Sequence, residues 1–159
     1  MQGEREWLGK SNAKGVTVTY LETPLKLTEV YSSGIIQGMI YTGYYAKLKT
    51  YQEAGLIPIS IAGKAPAFFD GIQYKVFAPS WSIFSRWKSG EINDLGYTEL
   101  FKTQILDKLN KEEVKAYLNS FQDDIILLCY EKSGDFCHRH IVADWIESEL
   151  KIRVDEYPV

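Results

Sequence analysis

Apolar positions along the chain recur at two spacings, and each change of spacing marks an element. Val16 to Leu21 alternates with β-branched residues, the pattern of a strand. Pro24 interrupts it, and Leu25 to Tyr31 reads as the second arm of a hairpin. Ser32-Ser33-Gly34 is a turn, after which Ile35 to Thr42 is expected as a strand. Tyr44, Leu48 and Tyr51 then fall at helical spacing within Tyr44 to Ala54, with Gly55 as a stop. Leu56 to Ala62 reads as a buried strand, the segment from Gly63 to Gly71 as a loop, and Tyr74 to Phe77 as a short strand ended by Pro79. Ser80 can cap a helix through Trp81, Phe84 and Trp87. Thr98 is expected to cap a helix from Glu99 to Leu109, and Asn110 one whose apolar stripe is Val114, Tyr117, Leu118 and Phe121. Ile125 to Leu128 shows no alternation, so it should be buried on both faces. A polar turn follows, then an amphipathic helix expected to be capped by Asp135 and to run to Leu150, and a final strand from Ile152 to Tyr157.

Strands and helices alternate from Ile35 onward. That order predicts an α/β fold with a mostly parallel central sheet sandwiched by helices, Rossmann-like and three-layered, preceded by a β extension. In such a sheet the carboxyl ends of the strands share one rim. Tyr44-Tyr45, the stretch from Ser60 to Phe69 and the stretch from Cys129 to Arg139 should therefore converge there, where open α/β sheets bind ligands.

The chemistry is concentrated at that rim. The only two cysteines, Cys129 and Cys137, and the only two histidines, His138 and His140, all lie between positions 129 and 140. Cys129 ends a strand, and the first turn of the next helix holds Cys137, His138 and Arg139 beside free backbone N–H groups and the positive end of the helix dipole. That is the outline of an anion site. A formal charge of −3 gives no basic footprint for duplex nucleic acid, which turns attention to a small-molecule partner. Eleven tyrosines and four tryptophans suit pocket walls, although core packing explains most of them. With no secretory leader and no apolar run of roughly 18 residues, a cytoplasmic protein without a membrane partner is expected. Its two cysteines then read as reactive, metal-binding or buried thiols rather than a disulfide.

Met39-Ile-Tyr-Thr-Gly-Tyr-Tyr-Ala-Lys-Leu48, Ile59-Ser60-Ile61, Ala78-Pro-Ser-Trp81, and above all Leu128-Cys-Tyr-Glu-Lys-Ser133 joined to Cys137-His-Arg-His-Ile-Val-Ala143, resemble the family catalogued as domain of unknown function 488. The resemblance runs from Met39 onward. It implies one α/β domain over residues 39–159, an added extension over residues 1–38, and a shared pocket at Cys129, Glu131, Cys137, His138 and Arg139. Gly43 stands where the family's Tyr-x-Ser-Tyr-Tyr pattern has serine. No reaction and no cofactor come with the resemblance.

Several readings of the pocket remain open. In the first, Arg139, the helix N-terminus and Lys64 hold a phosphorylated or nucleotide-like ligand, with Cys129, Tyr44, Tyr45, Ser60 and Phe69 around it. In the second, Cys137 is a nucleophile assisted by His138 and Glu131. In the third, Cys129, Cys137 and a histidine hold zinc. Adjacent residues on a helix point about 100° apart, so no metal is expected. A non-catalytic structural or interaction domain and a nucleic-acid processing protein, with tyrosines stacking an unpaired base, are the alternatives. The sequence carries no signal of oligomeric state.

Overall fold

The computed structural model describes residues 37–159. The predicted hairpin over Val16 to Tyr31 and the extension as a whole lie outside the described residues. Five strands, β1 (Ile40–Tyr44), β2 (Ile57–Ser60), β3 (Ile72–Gln73), β4 (Ile125–Cys129) and β5 (Val154–Glu156), form one sheet in the order β3-β2-β4-β1-β5. Every pairing is parallel, with Tyr44 opposite Cys129 and Ser60 opposite Leu128. Five α-helices accompany it: α1 (Leu48–Glu53), α2 (Trp81–Lys88), α3 (Asp94–Gln104), α4 (Lys111–Asn119) and α5 (His138–Trp145). The result is the expected three-layer α/β architecture. Among the described residues no helix is long and apolar enough to cross a membrane.

The unbroken apolar run of β4 is explained by burial on both faces. Ile125 and Leu127 face the larger core, built from Phe77, Ile83, Phe101, Leu118 and Trp145. Ile126 and Leu128 face the smaller one, which holds Tyr45, Tyr51, Leu56 and Phe69, and Cys129 at the strand end borders it. β4 is thus central in the sheet and delivers Cys129 to the carboxyl rim, next to the ends of β1 and β2.

Local polar contacts set the helix starts. Ser80 accepts from the N–H of Ile83 at 3.2 Å and Asn110 from that of Glu113 at 3.1 Å, both as expected. The strand Ile40–Tyr44 extends past the expected Thr42 and takes in Tyr44, which was expected to open the helix. Other boundaries differ too. α3 begins a turn before Thr98, because Asn93 Oδ1 accepts from the N–H of Gly96 at 2.8 Å. Thr98 instead sits inside the helix and donates its hydroxyl to the Asp94 carbonyl at 2.8 Å. The strand expected at Tyr74 to Phe77 is a shorter pairing at Ile72–Gln73 followed by a 3-10 turn, Lys75–Phe77, which carries Phe77 into the core. The last helix is not capped by Asp135. Its N-cap is Cys137, in extended backbone at φ −156° and ψ 141°. The helix continues through a π-helical turn, Ile146–Leu150, and ends at Lys151 in the left-handed region, φ 59°.

Gly43 is glycine for a packing reason. A Cβ there would lie 2.6 Å from Tyr51 Oη and 2.7 Å from Ile126 Cδ1, so the buried Tyr51 ring occupies the space a serine would need. Replacing Gly43 with Ala should cost about 1–3 kcal/mol of stability, the usual range for overpacking a filled core. Gly63 is the matched control, since a Cβ there meets nothing closer than Pro79 O at 3.9 Å. Urea melts of the two variants check this: Gly43→Ala should lower the midpoint and Gly63→Ala should leave it nearly unchanged.

Candidate functional site

The turn from Tyr130 to Phe136 links the end of β4 to the start of α5 and brings Cys129, Glu131, Cys137 and His138 together. His138 is fixed first. Its Nε2 lies 2.8 Å from the Ile61 carbonyl oxygen, which only accepts, so Nε2 carries a proton. Its ring also packs edge-on against Phe101, with centroids 5.5 Å apart. Nδ1 is thereby aimed at Cys129 Sγ, 3.4 Å away. Cys129 Sγ is in turn 3.6 Å from Glu131 Oε1.

Cys137 completes the cluster because it stands outside the helix. As the extended N-cap it does not follow the angular spacing of helical residues, so its side chain and that of His138 point to the same place. Cys129 Sγ, Cys137 Sγ and His138 Nδ1 all lie within 4.8 Å of one another. These three donors are the group that could hold a metal, and the angular objection drawn from helix geometry does not apply to them. As free thiols they divide the charge unequally. The Cys129 thiol beside Cys137 draws the Cys137 pKa well below the ordinary thiol range, against the opposing effect of burial, and His138 adds to the lowering. Cys129 is driven the other way by its contact with Cys137 and by burial. Glu131 is raised by burial and then by the charge of Cys137. The cluster thus favours ionisation at Cys137 over Cys129 and holds the Glu131 carboxyl toward its protonated form.

These groups form the floor of a cavity of about 500 Å³. Its walls are aromatic: Phe84 and Trp87 from α2, Tyr97 from α3, and Tyr130 and Phe136 from the turn. Trp81 stands at the mouth with 76 % of its surface exposed. Lys64 is the cation in the wall, and Tyr130 donates its hydroxyl to the Lys64 carbonyl at 2.6 Å.

Of the residues singled out from sequence, Cys129, Glu131, Cys137, His138 and Lys64 line this cavity. Tyr45, Ser60 and Phe69 stand behind it. The Tyr45 hydroxyl and Ser60 Oγ are 2.5 Å apart and buried, and the Tyr45 ring packs on Phe69 and on Tyr130 with centroids 5.6 and 4.8 Å away. Burial pushes the Tyr45 phenol above its ordinary range, so it stays neutral. Tyr44 and Arg139 are not among the residues that line the cavity, although the Arg139 side chain reaches Cys137. The Arg139 guanidinium lies 5.7 Å from the Tyr44 ring centre and has no exposed surface.

Arg139, expected at the anion site, is engaged by the protein itself. Three of its donors are taken: Nε and Nη2 donate to Glu156 Oε1 at 3.3 Å and Oε2 at 2.9 Å, and Nη1 donates to the Glu131 carbonyl. Glu156 also accepts from Thr42 Oγ1 at 2.5 Å and Ser133 Oγ at 3.2 Å. The carboxylate that Arg139 holds bidentately is therefore its own chain's.

Nothing local in the sequence marks Tyr97, Tyr130 or Phe136 as cavity residues. The available signal was the spacing of Trp81, Phe84 and Trp87, an aromatic row along α2 in which Ile83 is the buried residue.

Removing one partner of a buried pair leaves the other charge uncompensated, so Glu156→Ala should cost about 3–5 kcal/mol. Burial opposes ionisation of Glu156, and the bonds from Arg139 and Thr42 overcome it, so its folded pKa is depressed. A depressed carboxylate stabilises above its unfolded pKa, and that contribution is lost as pH falls through the folded value. Urea melts at neutral and acid pH should show the gap between wild type and Glu156→Ala narrowing in acid. Arg139→Lys should lose melting temperature in the same way, since a single ammonium cannot reproduce the fork.

A family model described as the active DUF488-N3 subclade matches residues 62–150, over half of the chain. No curated protein and no solved structure matches the chain. The matched span contains Lys64, the aromatic walls from α2 and α3, Cys129, Glu131, Cys137 and His138. The resemblance read from the motif residues and the family match thus agree on this cluster and its surroundings, and the chain belongs to the DUF488 family, in its active N3 subclade.

Proposed function

We propose that this protein is an enzyme that takes a flat-ringed, nucleotide-like small molecule into the aromatic cavity and attacks it with the Cys137 thiolate. The observation that carries the reading is the position of Cys137, the extended N-cap of a helix, beside Cys129 and His138 in the lining of a cavity of about 500 Å³, where these neighbours lower its pKa. Cavities of this size bury a drug-sized ligand, and a mostly apolar wall with a few convergent polar groups is the usual composition of a binding site. A low-pKa thiolate is the form of cysteine that attacks carbon.

Roles follow from position. Rings from α2, α3 and the turn offer faces for a planar group, and Trp81 at the mouth offers one more. When the Sγ of Cys137 forms a bond to an electrophilic carbon, the bond to the leaving group breaks with its electron pair, and Glu131 supplies the proton that group needs. His138 holds Cys129 in place through Nδ1. A phosphate on the ligand would meet Lys64 at the wall rather than Arg139. The description of the matched subclade as active supports an enzyme over a purely structural domain.

The test uses iodoacetamide and a panel of nucleosides and nucleotides. Alkylation of wild-type protein should occur at Cys137, and a bound nucleotide should slow it and quench tryptophan fluorescence. Trp81→Ala should weaken nucleoside binding by about 1–3 kcal/mol, the range for base stacking on an aromatic side chain. Lys64→Ala should weaken nucleotides more than nucleosides. Alkylation indifferent to every nucleoside and nucleotide would contradict the ligand class. A full equivalent of metal on the purified protein, with both thiols unreactive until it is chelated, would contradict the nucleophile.

A further inference from the structure

Both cysteines of the chain line one cavity, and both are free thiols. Most buried cysteines are inert packing residues. A nucleophilic cysteine needs no second thiol beside it, yet Cys129 Sγ lies within 4.8 Å of Cys137 Sγ. A disulfide requires sulfurs about 2.05 Å apart. The approach needs no unwinding of the helix, because Cys137 sits in extended backbone before the first helical turn. Cys129 is the more rigid partner, held at the end of β4 with its Sγ between His138 Nδ1 and Glu131 Oε1.

We propose that Cys137 and Cys129 form a peroxide-reducing pair, in which Cys137 attacks a small hydroperoxide admitted to the cavity and Cys129 resolves the product as an intramolecular disulfide. The inference rests on the reading of Cys137 as the reactive thiolate. In the first step the Sγ of Cys137 bonds to the terminal oxygen of the hydroperoxide and the O–O bond breaks. Cys137 is oxidised to a sulfenic acid, and the departing alkoxide or hydroxide takes the proton of the Glu131 carboxyl to leave as alcohol or water. In the second step Cys129 gives its proton to His138 Nδ1 and its sulfur attacks Cys137 Sγ. The S–S bond forms, the S–O bond breaks, and the departing hydroxide takes that proton from His138 and leaves as water. One hydroperoxide and two thiols, the proton of Cys137 passing to the leaving oxygen by way of Glu131, thus yield one disulfide, one alcohol or water, and one further water. An external dithiol restores the pair by exchange. The sulfenic acid is the reversible rung of cysteine oxidation, and a resolving thiol in reach keeps it from the irreversible ones.

The pairing also gives the cavity a redox state. With the disulfide formed, Cys137 has no thiolate and cannot attack a ligand.

Reduced full-length protein, freed of reductant, is treated with one equivalent of hydrogen peroxide and then with iodoacetamide, and its intact mass is measured. The expected product has lost two hydrogens, carries no alkyl group, and regains both thiols with dithiothreitol. Cys129→Ser should instead stop at the sulfenic acid, trapped at Cys137 by a 1,3-dione, and Cys137→Ser should show neither product. The wild-type result stands even if a variant fails to fold, which circular dichroism would show. Disulfides between two chains, oxidation straight to the sulfinic acid, or unchanged thiols would each overturn the pair. A parallel sample never exposed to peroxide separates the two proposals. Fast alkylation of Cys137 there, without an intramolecular disulfide in the oxidised sample, removes the pair and leaves the thiolate. Slow alkylation and no oxidation remove both.

Discussion

A guanidinium with no exposed surface must find every partner inside the protein, because an unpaired buried charge is far costlier than any surface contact repays. Arg139 finds its charge partner and a backbone acceptor by reaching in two directions. Glu156 on the edge strand β5 takes two of its donors, and the backbone of Glu131 in the turn after β4 takes a third. Thr42 of β1 and Ser133 of the same turn complete the carboxylate's partners. One buried ion pair therefore ties β1, β5, the turn and the start of α5 into a single piece. The site depends on that piece, since Glu131, Cys137 and His138 are all set by the path of the turn and the first residues of α5.

Within this frame, charge is distributed by a few short contacts. The Ile61 carbonyl decides which nitrogen of His138 carries the proton, and so decides that Nδ1 faces Cys129. Cys129 and Cys137 cannot both ionise in a buried space. Contact with Cys129, and then with His138, favours the anion at Cys137, while contact with Cys137 and burial favour the proton on Cys129. The aromatic walls reinforce the arrangement by limiting water, which leaves these contacts less screened than they would be at the surface.

What could be read from the sequence was what local chemistry determines. The unbroken apolar run of β4, the caps at Ser80 and Asn110, the parallel layout, and the gathering of Cys129, Cys137 and His138 each rest on neighbours in the chain or on a single crossover. Arg139 could not be assigned in the same way. Its position beside a helix N-terminus fits an anion-binding residue, and the partner that fills its fork is seventeen residues away on another strand. The expected absence of a metal rested on treating Cys137 as helical, and one extended residue was enough to remove that reasoning. The cavity walls were missed because an aromatic row on a short helix looks the same whether its far side faces a core or an open space.

The account stands on Cys137 holding the negative charge of the cluster. Thiolate absorbance in the ultraviolet, titrated across pH on wild-type protein and on Cys137→Ser, measures that directly. An ordinary free cysteine ionises near about 8.5. Wild type should show one thiolate's absorbance at neutral pH, with its midpoint far below that value, and Cys137→Ser should lose it. A wild-type protein with no thiolate absorbance until the pH exceeds the ordinary value, or a signal that survives in Cys137→Ser, would contradict the account.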